Sequence, residues 1–159
     1  MKIKKNDQIP NVNVFRIGSD GPEKIKLFEI ISDKKVIIIG VPGAFTPTCN
    51  LEHLPGFVKN IDNFKKKNID EVIFISANDP FVMNEWGKKS GIKEILFIGD
   101  PFCEFGKKTN LTLDLTAIGL GLRLSRFALI IDNCIIKDLL DEEGGALDKS
   151  AAESVLNAL

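Results

Sequence analysis

The residues best suited to chemistry lie in one short run, Gly40-Val-Pro-Gly-Ala-Phe-Thr-Pro-Thr-Cys49. An apolar β-branched stretch precedes it and an amphipathic pattern follows, so Cys49 falls at a strand-to-helix junction, near a helix N-terminus. Unpaired backbone N–H groups and the helix macrodipole stabilise an anion there, which favours the reactive thiolate over the thiol. Thr46, three residues earlier, can set a hydroxyl beside the sulfur. Pro42 and Pro47 stiffen the loop and reduce the entropy lost in holding it in shape. A lone cysteine in a small domain is usually an inert buried residue, so the neighbours of Cys49 must decide its role.

The other candidate groups are few. Cys103 and Cys134 complete an odd, widely spaced set of three cysteines, with no C-x-x-C pair and a single histidine, His53. That argues against a disulfide framework and a Cys/His zinc site and for a reducing compartment. No metal or cofactor is implied. His53 lies four residues after Cys49, on the same face of a regular helix, where it could be read as the base of a Cys-His hydrolase. Arg123 and Arg126 are three apart; in one continuous strand they point to opposite faces, so only one can face a site. Asn110-Leu111-Thr112 is a sequon by pattern, read as chance without a secretory signal.

These groups must be positioned by an ordinary globular chain. Its 159 residues, 44% apolar and 27% charged, suit one domain spanning 1–159 with a buried core. A formal net charge of −1 gives no reason to expect nucleic acid or an acidic membrane surface as partner. No apolar run approaches a bilayer span. The stretch Met1–Asp7 is basic but has no apolar segment after it, so it does not read as a secretory signal. The expected location is cytoplasmic, or an organelle after removal of a transit peptide. Phe supplies most of the aromatic residues and Tyr is absent.

Val36–Val41 reads as a strand buried on both faces, ended by Pro42-Gly43. Leu51, Leu54, Val58, Ile61 and Phe64 mark a helix that Pro55 kinks or effectively starts. Glu71–Ala77 and Glu94–Ile98 read as further strands. Asp79-Pro80 caps a helix running through Trp86 to about Lys89, and Asp100-Pro101 starts a short one reaching Lys108. Phe127–Asp132 and Cys134–Leu140 flank a hairpin turn at Asp132-Asn133. Ser150–Leu159 reads as a capped terminal helix, and Val12–Ile17 as an edge strand. The order β-α-β-α-β-α-β-β-α predicts an α/β, thioredoxin-like fold: a central mixed β-sheet flanked by helices on both faces.

Pro42-x-x-x-Thr46-x-x-Cys49 matches the peroxiredoxin active-site pattern. The longer run Val41-Pro-Gly-Ala-Phe-Thr-Pro-Thr-Cys-Asn-Leu-Glu-His-Leu-Pro-Gly-Phe57 resembles the type-II, or type-5, peroxiredoxins. The likeness extends to Asn78-Asp79-Pro80-Phe81-Val82, Glu85-Trp86-Gly87, Asp100-Pro101 and Arg123-Leu-Ser-Arg126-Phe127. It implies a thiol peroxidase in which Cys49 attacks a peroxide oxygen and becomes a sulfenic acid. Thr46 would hydrogen-bond thiolate and peroxide, and Pro42 would shield the site. Arg123 matches the family's arginine and would hold the charge developing on the leaving oxygen. His53 would be structural or tune the thiolate. Trp86 would pack at the family's dimer interface or beside the pocket, and a homodimer is implied. Phe45, Leu120 and Phe127 near the site would admit alkyl hydroperoxides as well as hydrogen peroxide.

Two departures from the family matter. Lys149 stands about where one group of relatives carries a resolving cysteine, and Phe74 where another does. Cys103, placed in a first helical turn, would be somewhat acidic, yet it and Cys134 read as bystanders. A one-cysteine cycle follows, with glutathione and glutaredoxin, or thioredoxin, as the external reductant. A thiol–disulfide oxidoreductase would need a second active-site cysteine that is absent here. A redox sensor or interaction module on the same scaffold is the alternative.

Overall fold

The computed structural model describes residues 1–159. Its centre is a seven-stranded sheet built on the apolar runs. Strand β3 (Lys35–Gly40) is an interior strand, parallel to β4 (Glu71–Ser76) at the middle of the sheet, which in turn is parallel to β5 (Ile95–Gly99). On the other side β3 pairs antiparallel with β8 (Phe127–Asp132), and β8 with β9 (Ile135–Asp141). With β1 (Asn13–Gly18) antiparallel to β5 and β2 (Gly21–Lys26) beyond it, the order is β2-β1-β5-β4-β3-β8-β9. The mixed sheet expected from the alternation of elements is present. The β8–β9 turn falls one residue later than expected: Asn133 and Cys134 both take positive φ, as a two-residue hairpin loop requires.

Apolar side chains fill both faces of the sheet. On one, Ile37, Ile39, Val72 and Phe74 pack with Cys49, Phe57, Phe64, Trp86 and Val155 from the helices. On the other, Val36, Ile38, Ile73, Ile75 and Leu129 pack with Leu27, Ile31, Phe105, Cys103 and Cys134. Helices α2 (Leu54–Lys66), α3 (Pro80–Ser90) and α5 (Ala152–Ala158) cover the first face. Helices α1 (Leu27–Ile31) and α4 (Glu104–Thr109) cover the second. Gly40 ends β3 where a Cβ would overlap the ring of Phe127, its partner across the β3–β8 pair, so only glycine fits.

Several elements escape the hydrophobic pattern. The expected N-terminal edge strand is β1 (Asn13–Gly18), but it lies second in the sheet because β2 (Gly21–Lys26) covers it. β2 (GPEKIK) is polar, largely exposed and carries Pro22, so it shows no apolar alternation. A separate two-stranded hairpin, β6 (Thr112–Leu115) and β7 (Gly121–Leu124), stands off the main sheet. Asp100 does cap α4, accepting from the backbone N–H groups of Glu104 and Gly106, but the helix begins only at Glu104. Cys103 is its left-handed N-cap at φ 52°. Burial, and next the charge of Asp100, push the Cys103 thiol up to about 11. The acidic thiol expected from a first-turn position is therefore corrected. α5 begins at Ala152, and Ser150 does not cap it; its hydroxyl goes elsewhere, with consequences for the site. No helix is long and apolar enough to cross a membrane.

Candidate active site

The loop after β3 turns tightly through Gly43–Thr46, where Phe45 takes φ 63°, a conformation rare for a bulky residue and held here by its surroundings. Asn78, just past β4, clamps the loop: its Oδ1 accepts from the Ala44 N–H at 2.9 Å and from the Ser76 hydroxyl at 2.7 Å. The helix then opens with Asn50 N–H on the Thr46 carbonyl, and Cys49–His53 form a π-turn, closed by the Leu54 N–H on the Cys49 carbonyl, before α2 continues. Pro55 stands in the first turn of α2 without breaking it, since its missing N–H falls where the hydrogen-bond ladder is already irregular. Cys49 thus sits in a first turn, as the strand-to-helix pattern predicts, and its side chain is fully buried.

The arginine at the sulfur is not the one that the motif pointed to. Arg126 Nη2 donates to Cys49 Sγ at 3.0 Å. Arg123 stands at the loop instead: its Nη1 donates to the Pro42 carbonyl at 3.3 Å and its Nε to the Leu120 carbonyl at 2.8 Å. In one continuous strand the two would face opposite ways. In fact Arg123 belongs to β7 in the small hairpin and Arg126 immediately precedes β8 in the main sheet. The chain changes sheets at Ser125, alternation is broken, and both guanidinium groups converge on the Pro42–Cys49 loop.

Arg126 is buried, yet no carboxylate pairs with it; its Nε donates to the Gly145 carbonyl at 3.0 Å and its Nη1 to His53 Nδ1 at 2.8 Å. A buried cation whose other partners are neutral keeps its charge available to an anion at Sγ. His53 Nε2 donates to the Ser150 carbonyl at 2.9 Å, which fixes the neutral tautomer with its Nδ1 lone pair towards Arg126. Burial, assisted by the Arg126 charge and opposed by Ser150, pushes His53 down to about 4. Both ring nitrogens are occupied away from Cys49, so the ring is not arranged as a base for the thiol. It packs between Phe57 and Phe74, with ring centroids 5.6 and 5.8 Å away.

Thr46 Oγ1 donates to the Gly43 carbonyl at 2.7 Å, which leaves its oxygen lone pairs to accept from an incoming O–H. Pro42 is buried and offers its carbonyl to Arg123. Trp86 lies beside the site within the core, its Nε1 donating to Asn50 Oδ1 at 2.9 Å. Phe127, expected near the site, is buried on the opposite face of the sheet beside Phe105. The sequence pattern missed the contacts made by Arg126 and Asn78, although Asn78 stands within a recognisable motif.

A buried thiol in a first helical turn, faced by an unpaired guanidinium on a thioredoxin-like sheet, defines a thiol-based redox protein. The Redoxin family profile matches residues 4–156. Peroxiredoxin-2D of Arabidopsis thaliana is 42% identical over 159 residues, covering 99% of this chain and 98% of that one. Among solved structures, reduced Prx3 of Vibrio vulnificus in complex with hydrogen peroxide superposes with a TM-score of 0.94 at 36% identity, covering 98% of each chain. The Plasmodium falciparum antioxidant protein, described as a 1-Cys peroxiredoxin, does so with 0.89 at 32%, covering 96% of each. The chain belongs to the peroxiredoxins, thioredoxin-fold thiol peroxidases.

Proposed function

We propose that the chain reduces hydrogen peroxide and alkyl hydroperoxides with Cys49 as nucleophile, and that an external thiol completes the cycle. The contact of Arg126 with Cys49 Sγ carries this reading. The guanidinium favours the thiolate by charge and donates into the space where a peroxide must approach. The thiolate attacks the oxygen of the peroxide that bears hydrogen, an S–O bond forms and the O–O bond breaks. The electron pair leaves on the second oxygen, which takes up a proton and departs as water or alcohol. Donors already aimed at that charge lower the barrier without reorganising. Thr46 accepts from the peroxide O–H and so sets which oxygen faces the sulfur. Arg123 has a supporting role, bracing the Pro42 carbonyl and hence the loop, while Pro42 shields the sulfur.

The burial pattern supports a one-cysteine cycle. Cys49 packs in the core on one face of the sheet, while Cys103 and Cys134 lie in the core on the other. All three are free. A disulfide from Cys49 to either would require the sheet itself to open. The sulfenic acid would instead condense with an external thiol, releasing water, and a second thiol would free Cys49 from the mixed disulfide. Glutathione with glutaredoxin, or thioredoxin, supplies those thiols, in a reducing compartment such as the cytoplasm. A second copy of the chain is the partner that the surface suggests. Exposed Phe45, Phe81 and Phe102 follow the carboxyl ends of the parallel strands β3, β4 and β5, making one edge of the molecule apolar beside the site.

Stopped-flow mixing of reduced protein with hydrogen peroxide tests the reading, with Trp86 fluorescence as the signal because Trp86 reaches the π-turn through Asn50. A fast second-order phase absent in Cys49→Ser is expected. A rate no better than that of free cysteine would leave the redox-sensor alternative in front.

A further inference from the structure

We infer that Glu142 is a positioning residue for peroxide reduction, holding the Arg126 guanidinium on Cys49 through Ser150 and His53. The inference rests on the proposed roles of Cys49 and Arg126. Glu142 follows β9 and touches neither of them with its side chain. Its carboxylate gathers four donors from the turn before α5: the N–H groups of Asp148 (2.7 Å), Lys149 (3.1 Å) and Ser150 (2.9 Å), and the Ser150 hydroxyl (2.8 Å). Burial alone would push the Glu142 carboxyl up, but these bonds outweigh it and hold the group below the usual carboxylate range. The carboxylate is therefore charged when it binds the turn.

The turn so fixed presents the Ser150 carbonyl to His53 Nε2 at 2.9 Å. That bond selects the ring tautomer and orientation that put Nδ1 2.8 Å from Arg126 Nη1. With Nη1 tied to His53 and Nε to the Gly145 carbonyl, the planar guanidinium has no freedom left to swing Nη2 from Cys49 Sγ. The main chain repeats the coupling: Glu142 N–H donates to the Arg126 carbonyl and Arg126 N–H to the Gly144 carbonyl. The 142–150 segment thus grips Arg126 by its backbone, its guanidinium and the histidine that aligns it. The arrangement also keeps the Glu142 charge off Arg126 itself, so the carboxylate orders the site without neutralising the cation that the thiolate needs.

The variants are Glu142→Ala and Glu142→Gln, with Asp141→Ala as control. Asp141 accepts from the Glu143 N–H and from Lys2 Nζ in the same segment but has no link to His53. Two readouts are taken on the full chain: the pH profile of the second-order rate with hydrogen peroxide, and the ring nitrogen resonances of His53. His53 is the only histidine, so its signals need no assignment. Glu142→Ala is expected to slow the reaction by about tenfold or more, move the pH profile upward and shift both ring resonances. Glu142→Gln, which keeps an acceptor oxygen, is expected to fall between it and the wild type, and Asp141→Ala to leave both readouts unchanged. Unchanged His53 resonances in Glu142→Ala, an unchanged rate and profile, or an equal loss in Asp141→Ala would each overturn the inference. A fast wild type with an unaffected Glu142→Ala sinks this role alone, whereas a wild type as slow as a free thiol sinks the function of Cys49 and this role with it.

Discussion

Replacing Arg126 by lysine, beside the matching Arg123→Lys, separates the geometry of this site from its motif. Arg126 makes three side-chain bonds at once, to Cys49 Sγ, His53 Nδ1 and the Gly145 carbonyl. Lysine keeps the charge but has one nitrogen on a flexible stem and cannot span the three positions. A hydrogen bond to a charged group contributes about 1.5–3 kcal/mol, so loss of the directed contact to sulfur predicts a fall of roughly 10- to 100-fold in the second-order rate with hydrogen peroxide. Arg123 touches only two carbonyls, and its Pro42 contact is the longer at 3.3 Å. One neutral acceptor lost at a net of about 1 kcal/mol predicts a slowing of about fivefold. Stopped-flow Trp86 fluorescence measures both, and thermal melts confirm that each variant is folded at the assay temperature. A larger loss in Arg123→Lys than in Arg126→Lys would refute the reasoning and return the thiolate-holding role to Arg123.

Other outcomes follow from the same contacts. Cys103→Ser and Cys134→Ser, singly and together, are expected to retain turnover with an external thiol, and mass spectrometry of the oxidised wild type to show a sulfenic acid without an internal disulfide; a Cys49–Cys103 or Cys49–Cys134 bridge would end the one-cysteine cycle. His53 titrates near 6.5 unfolded but about 4 folded, so its contribution to stability is complete above pH 6.5 and is lost as pH falls towards 4, by about 3 kcal/mol. Asp100 runs the other way: burial raises it from 3.8 to about 6, so its contribution is complete below pH 3.8 and is lost as pH rises through 6, again by about 3 kcal/mol. The two nearly offset each other in the wild type between those limits, and denaturant unfolding of His53→Gln is expected to show stability rising on acidification; equal slopes in the two proteins would contradict this. Gly40→Ala is expected to cost about 1–3 kcal/mol through overlap with the Phe127 ring, and Phe127→Leu in the same chain to recover part of that loss; an unchanged melting temperature in Gly40→Ala would show that the ring can move aside.

The strands that carry the site were legible because burial on both faces leaves a mark in the residues themselves: KVIIIG and EVIFIS cannot be solvated, and the Pro42-Gly43 break after the first places Cys49 at a helix start. The α3 cap was legible for a similar reason, since Asp79 bonds the Val82 N–H three residues on. These are local relations, encoded by residues within a few positions of one another. β2 and the β6–β7 hairpin were not legible, because their strands are short and largely polar or half-exposed and take their pairing from neighbours rather than from an apolar period.

The choice of arginine belonged to tertiary structure. Whether residue 123 or 126 meets a sulfur more than seventy positions earlier depends on the chain leaving one sheet at β7 and joining another at β8. Alternation along a strand carries no information across such a break. The same holds for Glu142 and Ser150 of the 142–150 segment and for His53 some ninety positions earlier, polar residues with no spacing that links them. The residues near Cys49 determined by themselves what kind of chemistry the chain performs. Only the packed fold decided which distant cation holds the sulfur and what holds that cation, because a buried charge is stabilised by whatever the fold brings within hydrogen-bond reach.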